Sequence, residues 1–394
     1  MEGFREVRFL TLYLQNICNQ FHKYTMDQEE LFYLIALLQV KGIGCITARN
    51  LIQNLGSSKA VFEEKGVALS RIQGIGVTTI QELLKKETFA RAEKEIEFIQ
   101  KNKINAFAFS DSAFPKRLID CIDAPLLLYY KGNADLNAAK IVSLVGTRNA
   151  TEYGKSLCES FIHELSDKYP DVLILSGLAY GIDICAHKAA LKYNLQTVGV
   201  MAHGLDRIYP AAHRKTAVEM VAQGGLLTEY PSDTNPDRPN FVMRNRIVAG
   251  MSDALIVVES AARGGALITA EIANSYDRDV FAFPGRTNDL VSQGCNRLIF
   301  KNKASLIQNI ADFEELMGWS PNAVPGKAVQ KELFVELTPD ERLVTTYLKR
   351  NEPKQINILS VECDLPVYRL SAILLELEFK GVVKSLPGGT YLII

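Results

Sequence analysis

Apolar residues return along this chain with two different periods. Between residues 28 and 102 they recur every three to four positions, the spacing that lines one face of a helix. Between 141 and 283 they come instead as short unbroken runs, at 141–145, 172–176, 197–201, 226–229, 254–259 and 279–283. Continuous Val/Ile/Leu runs, as opposed to alternation, mark strands covered on both faces, and helical patterns separate them. Right-handed crossovers then predict an α/β domain, a Rossmann-like doubly wound and mostly parallel sheet.

The helical stretch carries an internal repeat. Leu38 to Leu51 contains Gly42-Ile43-Gly44, and Leu69 to Leu83 contains Gly74-Ile75-Gly76, about thirty residues on. Each reads as a tight glycine turn between amphipathic helices, with the central isoleucine filling the gap. The pair resembles a tandem helix-hairpin-helix module, whose hairpin amides touch DNA phosphates without reading bases. Eleven basic against ten acidic residues over 26–103 is nearly neutral. Gly42, Gly44, Gly74 and Gly76 therefore stand either as secondary DNA contacts or as purely structural turns.

At the far end, Thr338-Pro339-Asp340-Glu341 is a capping box with proline at the first helical position. Val367, Leu370, Leu374 and Leu377 form one apolar stripe, and 381–394 reads as a hairpin turning at Pro387–Gly389. Three helices closed by a hairpin predict a winged helix, and its seven basic and seven acidic residues favour a partner-binding or regulatory role over DNA reading. The expected organisation is an extension over 1–25, with Met26 the effective start. A helix-hairpin-helix domain follows over 26–103. The Rossmann-like domain spans 104–320 and includes a proline-punctuated connector at 104–135 packed on its edge. A linker over 321–337 precedes the winged helix at 338–394.

Charge narrows the function classes. Forty-four Lys and Arg against 45 Asp and Glu leave a formal net charge of −1, so nucleic-acid binding requires a local patch. Seven cysteines without a CxxC pair, and five histidines without ligand spacing, point away from a metal site and toward a reducing, cytoplasmic location. His187, four residues after Asp183, reads more simply as a structural histidine than as a ligand or acid–base group. No run approaches the ~20 apolar residues of a membrane span.

The candidate chemistry lies in the turns after the predicted strands. Gly146-Thr147-Arg148 follows the first, Ser176 to Asp183 the second, and Glu259 with Ala262 to Thr269 the fifth. In open parallel sheets such turns converge on one crevice, and small residues there leave amides available to an anion. Arg214-Lys215 and Arg244-Asn245-Arg246 add cations. Phe241 and Tyr180 could stack bases or simply pack. The spacing of a dinucleotide fingerprint, a P-loop or a nucleophile elbow is absent. Cations and amides without a nucleophile, metal or general base fit extended polyanion binding better than catalysis, and no cofactor is implied.

Six ordered motifs together resemble the DprA (Smf) family: Gly146-Thr-Arg148 with Tyr153-Gly154; Ser176-Gly-Leu-Ala-Tyr-Gly-Ile-Asp183 with Ala186-His187; Gly204-Leu-Asp-Arg-Ile-Tyr-Pro210; Arg244-Asn-Arg246 with Ala249-Gly250; Gly264-Gly-Ala-Leu-Ile-Thr269; and Phe281-Ala-Phe-Pro-Gly285 with Gly294-Cys-Asn-Arg-Leu298. Phe114 to Leu118 and Asp123-Ala-Pro125 resemble the segment preceding its Rossmann-like domain. The resemblance implies a non-enzymatic, dimeric binder of single-stranded DNA. Such a protein protects incoming strands in natural transformation and loads the RecA recombinase. It places Arg148 and Lys215 in the DNA pocket, with Gly146, Gly177, Arg244, Asn245, Arg246, Gly264 and Gly265 around it. Three positions depart from the pattern: Thr147 replaces serine, Tyr180 replaces arginine, and Gly264 replaces serine. Two alternatives stay open, a phosphoribohydrolase-type nucleotide enzyme related to lysine-decarboxylase-like proteins, and an adaptor for RecA that leaves DNA to its partner.

Overall fold

Helical periodicity at the N-terminus becomes five helices in the computed structural model, which describes residues 26–64, 66–72, 74–85, 87–320, 337–348, 353–380, 382–386 and 389–393. The extension expected over 1–25 and the linker residues 321–336 lie outside the described residues. Helices α1 (Gln28–Leu38), α2 (Cys45–Leu55), α3 (Ser58–Glu63), α4 (Val77–Lys85) and α5 (Thr88–Asn102) share one core. Phe32, Tyr33, Phe62 and Phe89 meet edge-on or tilted at its centre, and Leu34, Ile35, Leu51 and Leu83 surround them. The two repeats form matching turns. Gly42 and Gly74 take φ of 86° and 87°, the left-handed region that a side chain strains, and Ile43 is buried beneath its turn.

The chain then enters the sheet sooner than its prolines suggest. β1 (Asn105–Ala108) and β2 (Leu127–Gly132), with the short α6 (Lys116–Ile119) between them, are strands of the main sheet, where an edge-packed connector was expected. The reason is two-sided burial of β2: Leu127 and Tyr129 pack on the helical core, while Leu128 and Tyr130 pack on the core of the α/β region.

The α/β region continues through β3 (Ile141–Val145), α7 (Glu152–Lys168), β4 (Leu173–Ser176), α8 (Ile182–Lys192), β5 (Gln196–Val200) and α9 (Arg214–Ala222). It is completed by β6 (Gly224–Thr228), α10 (Arg238–Gly250), β7 (Ala254–Val257), α11 (Gly265–Ser275), β8 (Asp279–Ala282), α12 (Gln293–Phe300), β9 (Ser305–Leu306) and α13 (Ile310–Met317). The nine strands lie in the order β1-β2-β6-β5-β4-β3-β7-β8-β9. β1, β2 and β6 pair antiparallel and the rest are parallel. Apolar side chains fill both faces, as continuous runs require. Ile141 and Val145 join the core under α10 to α12, while Val142 and Leu144 join that under α7, α8 and α13. From β3 the chain winds through β4, β5 and β6 on one side, then resumes at β7 on the other. That reversal is a topological switch point.

The chain divides into two units, one up to Pro321 and one from Asn322. The second holds α14 (Pro339–Tyr347), β10 (Lys354–Gln355), α15 (Ile356–Glu362), α16 (Val367–Phe379), β11 (Val383–Leu386) and β12 (Thr390–Ile393), a winged helix with strand order β10-β12-β11. Thr338 and Glu341 form the capping box, and Lys380 reaches Glu341 at 2.6 Å.

In the first unit, one buried carboxylate fastens the helical region to the sheet. Glu95 on α5 is 1% exposed; it accepts the Ser232 amide at 3.0 Å and the Ser232 hydroxyl at 2.6 Å, and Arg91 neutralises it at 2.8 Å. Removing one member of such a cluster strands the others in a dry site. Glu95→Ala is therefore expected to lower unfolding free energy by about 3 kcal/mol in urea titrations. A change below about 0.5 kcal/mol would show that the cluster holds nothing together.

Candidate nucleic-acid interface

The carboxyl ends of β3, β4 and β7 open into a cleft of about 970 Å³ at the switch point. Its floor is set by backbone geometry. After β3 the Thr147 amide donates to the Glu259 carbonyl at 2.7 Å, tying the first turn to the segment that leaves β7. The buried Glu259 carboxylate accepts the Thr151 amide at 2.9 Å and hydroxyl at 2.6 Å, and Thr151 caps α7. Gly146 has no room for a side chain, because a Cβ there would overlap Ile182 at the start of α8.

Arg244 forms the inner wall. This α10 residue is 4% exposed, and its guanidinium donates to the carbonyls of Gly177, at 2.7 Å, and Val200. Its Nη1 lies where a Cβ on residue 177 would sit, which explains the glycine after β4. Asp183 is the buried counter-charge. Burial pushes its carboxyl up, opposed by Arg244 and by the Ala179 amide at 3.3 Å. Burial also lowers the Arg244 guanidinium, with Asp183 acting against it.

The outer wall is cationic and aromatic. Exposed Arg148, Arg238 and Arg263 line the cleft with Arg244, against Asp183 as its one lining acid. Arg148 and Arg244 stand 5.4 and 5.9 Å from the half-buried Phe241 ring, and the tilted Tyr209 ring lies 5.9 Å from it. Gly264 and Gly265 are exposed at the start of α11, whose eleven residues point a positive helix end into the cleft.

The expected site residues divide accordingly. Gly146, Arg148, Arg244, Asn245, Gly264 and Gly265 line the cleft, and Gly177 supports it from beneath Arg244. Arg246 does not face it. Two residues along a helix differ by about 200°, so Arg246 turns away from Arg244 and is buried against Glu229 and, at 3.9 Å, Asp123. Lys215 is exposed on the first turn of α9 and is not among the lining residues. Just ahead of it, His213 donates to the Leu178 carbonyl at 2.8 Å and meets the exposed Tyr180 ring edge-on at 4.8 Å. Gly42, Gly44, Gly74 and Gly76 belong to the helical hairpins, outside the cleft. Sequence reasoning assigned no role to Arg238 or Arg263. Like Arg148, Arg263 lies in a glycine-bearing turn after a strand, which is the signal that could have found it.

His187 is a structural residue. The Thr197 hydroxyl donates to the Ile174 carbonyl at 3.0 Å, so it accepts from His187 Nδ1 at 2.7 Å and fixes a proton on Nδ1. Among the described residues no His/Cys/Asp/Glu cluster could hold a metal, and no helix is long and apolar enough to cross a membrane.

Residues 105–318 match the family model "DNA recombination-mediator protein A", and 334–389 match the DprA winged helix domain. A Smf protein of Synechocystis is 30% identical over 93% of this chain and 99% of its own. The chain belongs to the DprA/Smf family. The crystal structure of DNA processing protein A from Streptococcus pneumoniae superposes with a TM-score of 0.63 and 32% identity, over 72% of this chain and 97% of that one. A structure of DNA processing protein A from Helicobacter pylori, described for its single-stranded DNA binding mode, gives 0.50 and 31%, over 55% of this chain and 95% of that one.

One pH dependence follows from the buried ring. Burial, then Arg244 and His213, push His187 down to about 3 from an ordinary 6.5. The unfolded chain therefore binds the proton that the folded chain refuses, and stability falls as pH drops from 6.5 toward 3, by an amount on the order of 4 kcal/mol. His187→Gln is expected to flatten that limb of a urea-midpoint-against-pH curve; an unchanged slope would assign acid sensitivity elsewhere.

Proposed function

We propose that the switch-point cleft binds the backbone of single-stranded DNA, and that the chain acts as a non-enzymatic, homodimeric, cytoplasmic DNA-processing protein that delivers strands to the RecA recombinase. The observation that carries the DNA reading is the arrangement of Arg148, Arg238, Arg244 and Arg263 around one helix N-terminus with a single buried acid between them. Guanidinium forks and helix amides both select phosphate oxygens. Phe241, held between Arg148, Arg244 and Tyr209, offers a ring on which a base can stack without regard to sequence. Asp183 is buried, accepts a backbone amide and faces the charge of Arg244, which supports binding over acid–base catalysis. The strand's path past Tyr180 toward Lys215 extends the same polarity, and the hairpin turns at Gly42–Gly44 and Gly74–Gly76 serve as secondary phosphate contacts. Family membership and the single-stranded DNA described for the Helicobacter pylori relative agree with this reading; RecA delivery and dimerisation rest on the resemblance alone.

Fluorescence anisotropy of labelled oligo-dT across a salt series tests it. Arg148→Ala and Arg263→Ala are each expected to weaken binding about tenfold and to lower the log–log salt slope by about 0.7, one phosphate each. Lys215→Ala should act in the same direction. Duplex of equal length should bind less tightly. Unchanged affinity in both arginine variants would overturn the assignment to this cleft.

A further inference from the structure

Farther along the two helices that rise from the cleft lies a feature that DNA binding does not use. Cys158, in the second turn of α7, and Cys185, in the first turn of α8, lie on two helices packed side by side: Cys185 packs against the core that holds Cys158, and its sulfur reaches the carbonyl of Lys155, three residues before Cys158 on α7. Their surroundings differ sharply. Cys158 is fully buried in the core with Phe161, Ile162 and Ala186. Cys185 is half-buried and lines a separate groove of about 610 Å³, together with Lys155, Lys188, Lys192 and Glu159.

Their exposure gives the two thiols different tasks. The neighbouring Cys185, together with burial, pushes the Cys158 thiol up. The neighbouring Cys158, aided by Lys155 and Lys188, draws Cys185 down against the opposing effects of burial and Glu159. As a thiol Cys185 donates to the Lys155 carbonyl at 3.6 Å. A reachable sulfur of increased thiolate character beside a protected one is the arrangement in which oxidation proceeds to a disulfide and stops there. The remaining described cysteines lack this setting: Cys121, Cys295 and Cys363 are buried, and burial raises the half-buried Cys45.

We propose that Cys158 and Cys185 form a reversible dithiol–disulfide site, with Cys185 as the nucleophile toward a hydroperoxide and Cys158 as the resolving thiol. The Cys185 thiol gives its proton to solvent, the thiolate attacks hydrogen peroxide, the O–O bond breaks, and the sulfur becomes a sulfenic acid as hydroxide leaves and takes up that proton as water. Cys158 then attacks the Cys185 sulfur, the S–S bond forms, and the sulfenic oxygen leaves with the Cys158 proton as a second water. Two thiols and one peroxide give one disulfide and two waters, a two-electron oxidation. A dithiol reductant reverses it by exchange. The bond would pin α7 to α8 beyond the turns that form the cleft.

The test uses the full chain with Cys18→Ser, so that the N-terminal thiol does not enter the count. After hydrogen peroxide, catalase and maleimide labelling, intact mass should show two fewer labels than the reduced protein. Peptide mapping should place the missing pair in one 158–185 cross-link, and dithiothreitol should restore both labels. In Cys158→Ser, or in Cys158→Ala should the serine variant fail to fold, dimedone should trap Cys185 at least tenfold more than in the parent. The proposal is overturned if Cys185 stays fully labelled after peroxide, if the disulfides formed link separate chains, or if dimedone labels the parent and the Cys158 variants equally.

Discussion

A single buried guanidinium fixes the geometry of the cleft. Arg244 lies across Gly177 with its Nη1 shared between the carbonyls that end β4 and β5, while Asp183 supplies its counter-charge. Taking an arginine out of water is costly unless its protons are satisfied and its charge is met. The two bonds from Nη1 and the counter-charge depend on three elements being in register at once: the β4 turn, the start of α8 and the body of α10. The glycine at 177, the acid at 183 and the arginine at 244 are thus one structural unit spread over 68 residues of sequence. Everything outward of it is placed by that unit, since Phe241 sits one helical turn back and carries Arg148 on its ring.

The sheet explains why the cations gather at this place and not elsewhere. A switch point leaves a gap where neighbouring strands send their helices to opposite faces, and the turns after β3, β4 and β7 meet there. Arg148 and Arg263 lie on two of those turns and both line the cleft. With net charge near zero over the chain, the local excess at the cleft is what an anion would sense, and salt would screen it within about 10 Å.

How much of this was legible in the sequence follows from which signals are local. The six parallel-region strands were, because a run such as Ile141–Val145 can bury both faces only inside a covered sheet. β2 was hidden, since Leu126 to Tyr130 follows Pro125 and its two-sided burial depends on helices far earlier in the chain. The Arg-Asn-Arg motif marked α10 as important but could not divide its residues. Only the helix phase shows that Arg244 and Asn245 face the cleft while Arg246 locks Glu229 and Asp123. Arg238 gave no signal, lying between Asp237 and Pro239 in what reads as a helix start. The thiol pair was invisible for the opposite reason: its members lie 27 positions apart, and only the packing of α7 on α8 brings them together.

The proposed seat of nucleic acid is the switch-point cleft. Photo-crosslinking with an oligo-dT carrying 4-thiothymidine at single positions, followed by peptide mapping, tests it most directly. The expected adducts fall within 146–149, 236–245 and 260–269. Adducts confined to the hairpin turns at 42–46 and 74–77, or to the winged helix beyond 337, would contradict it.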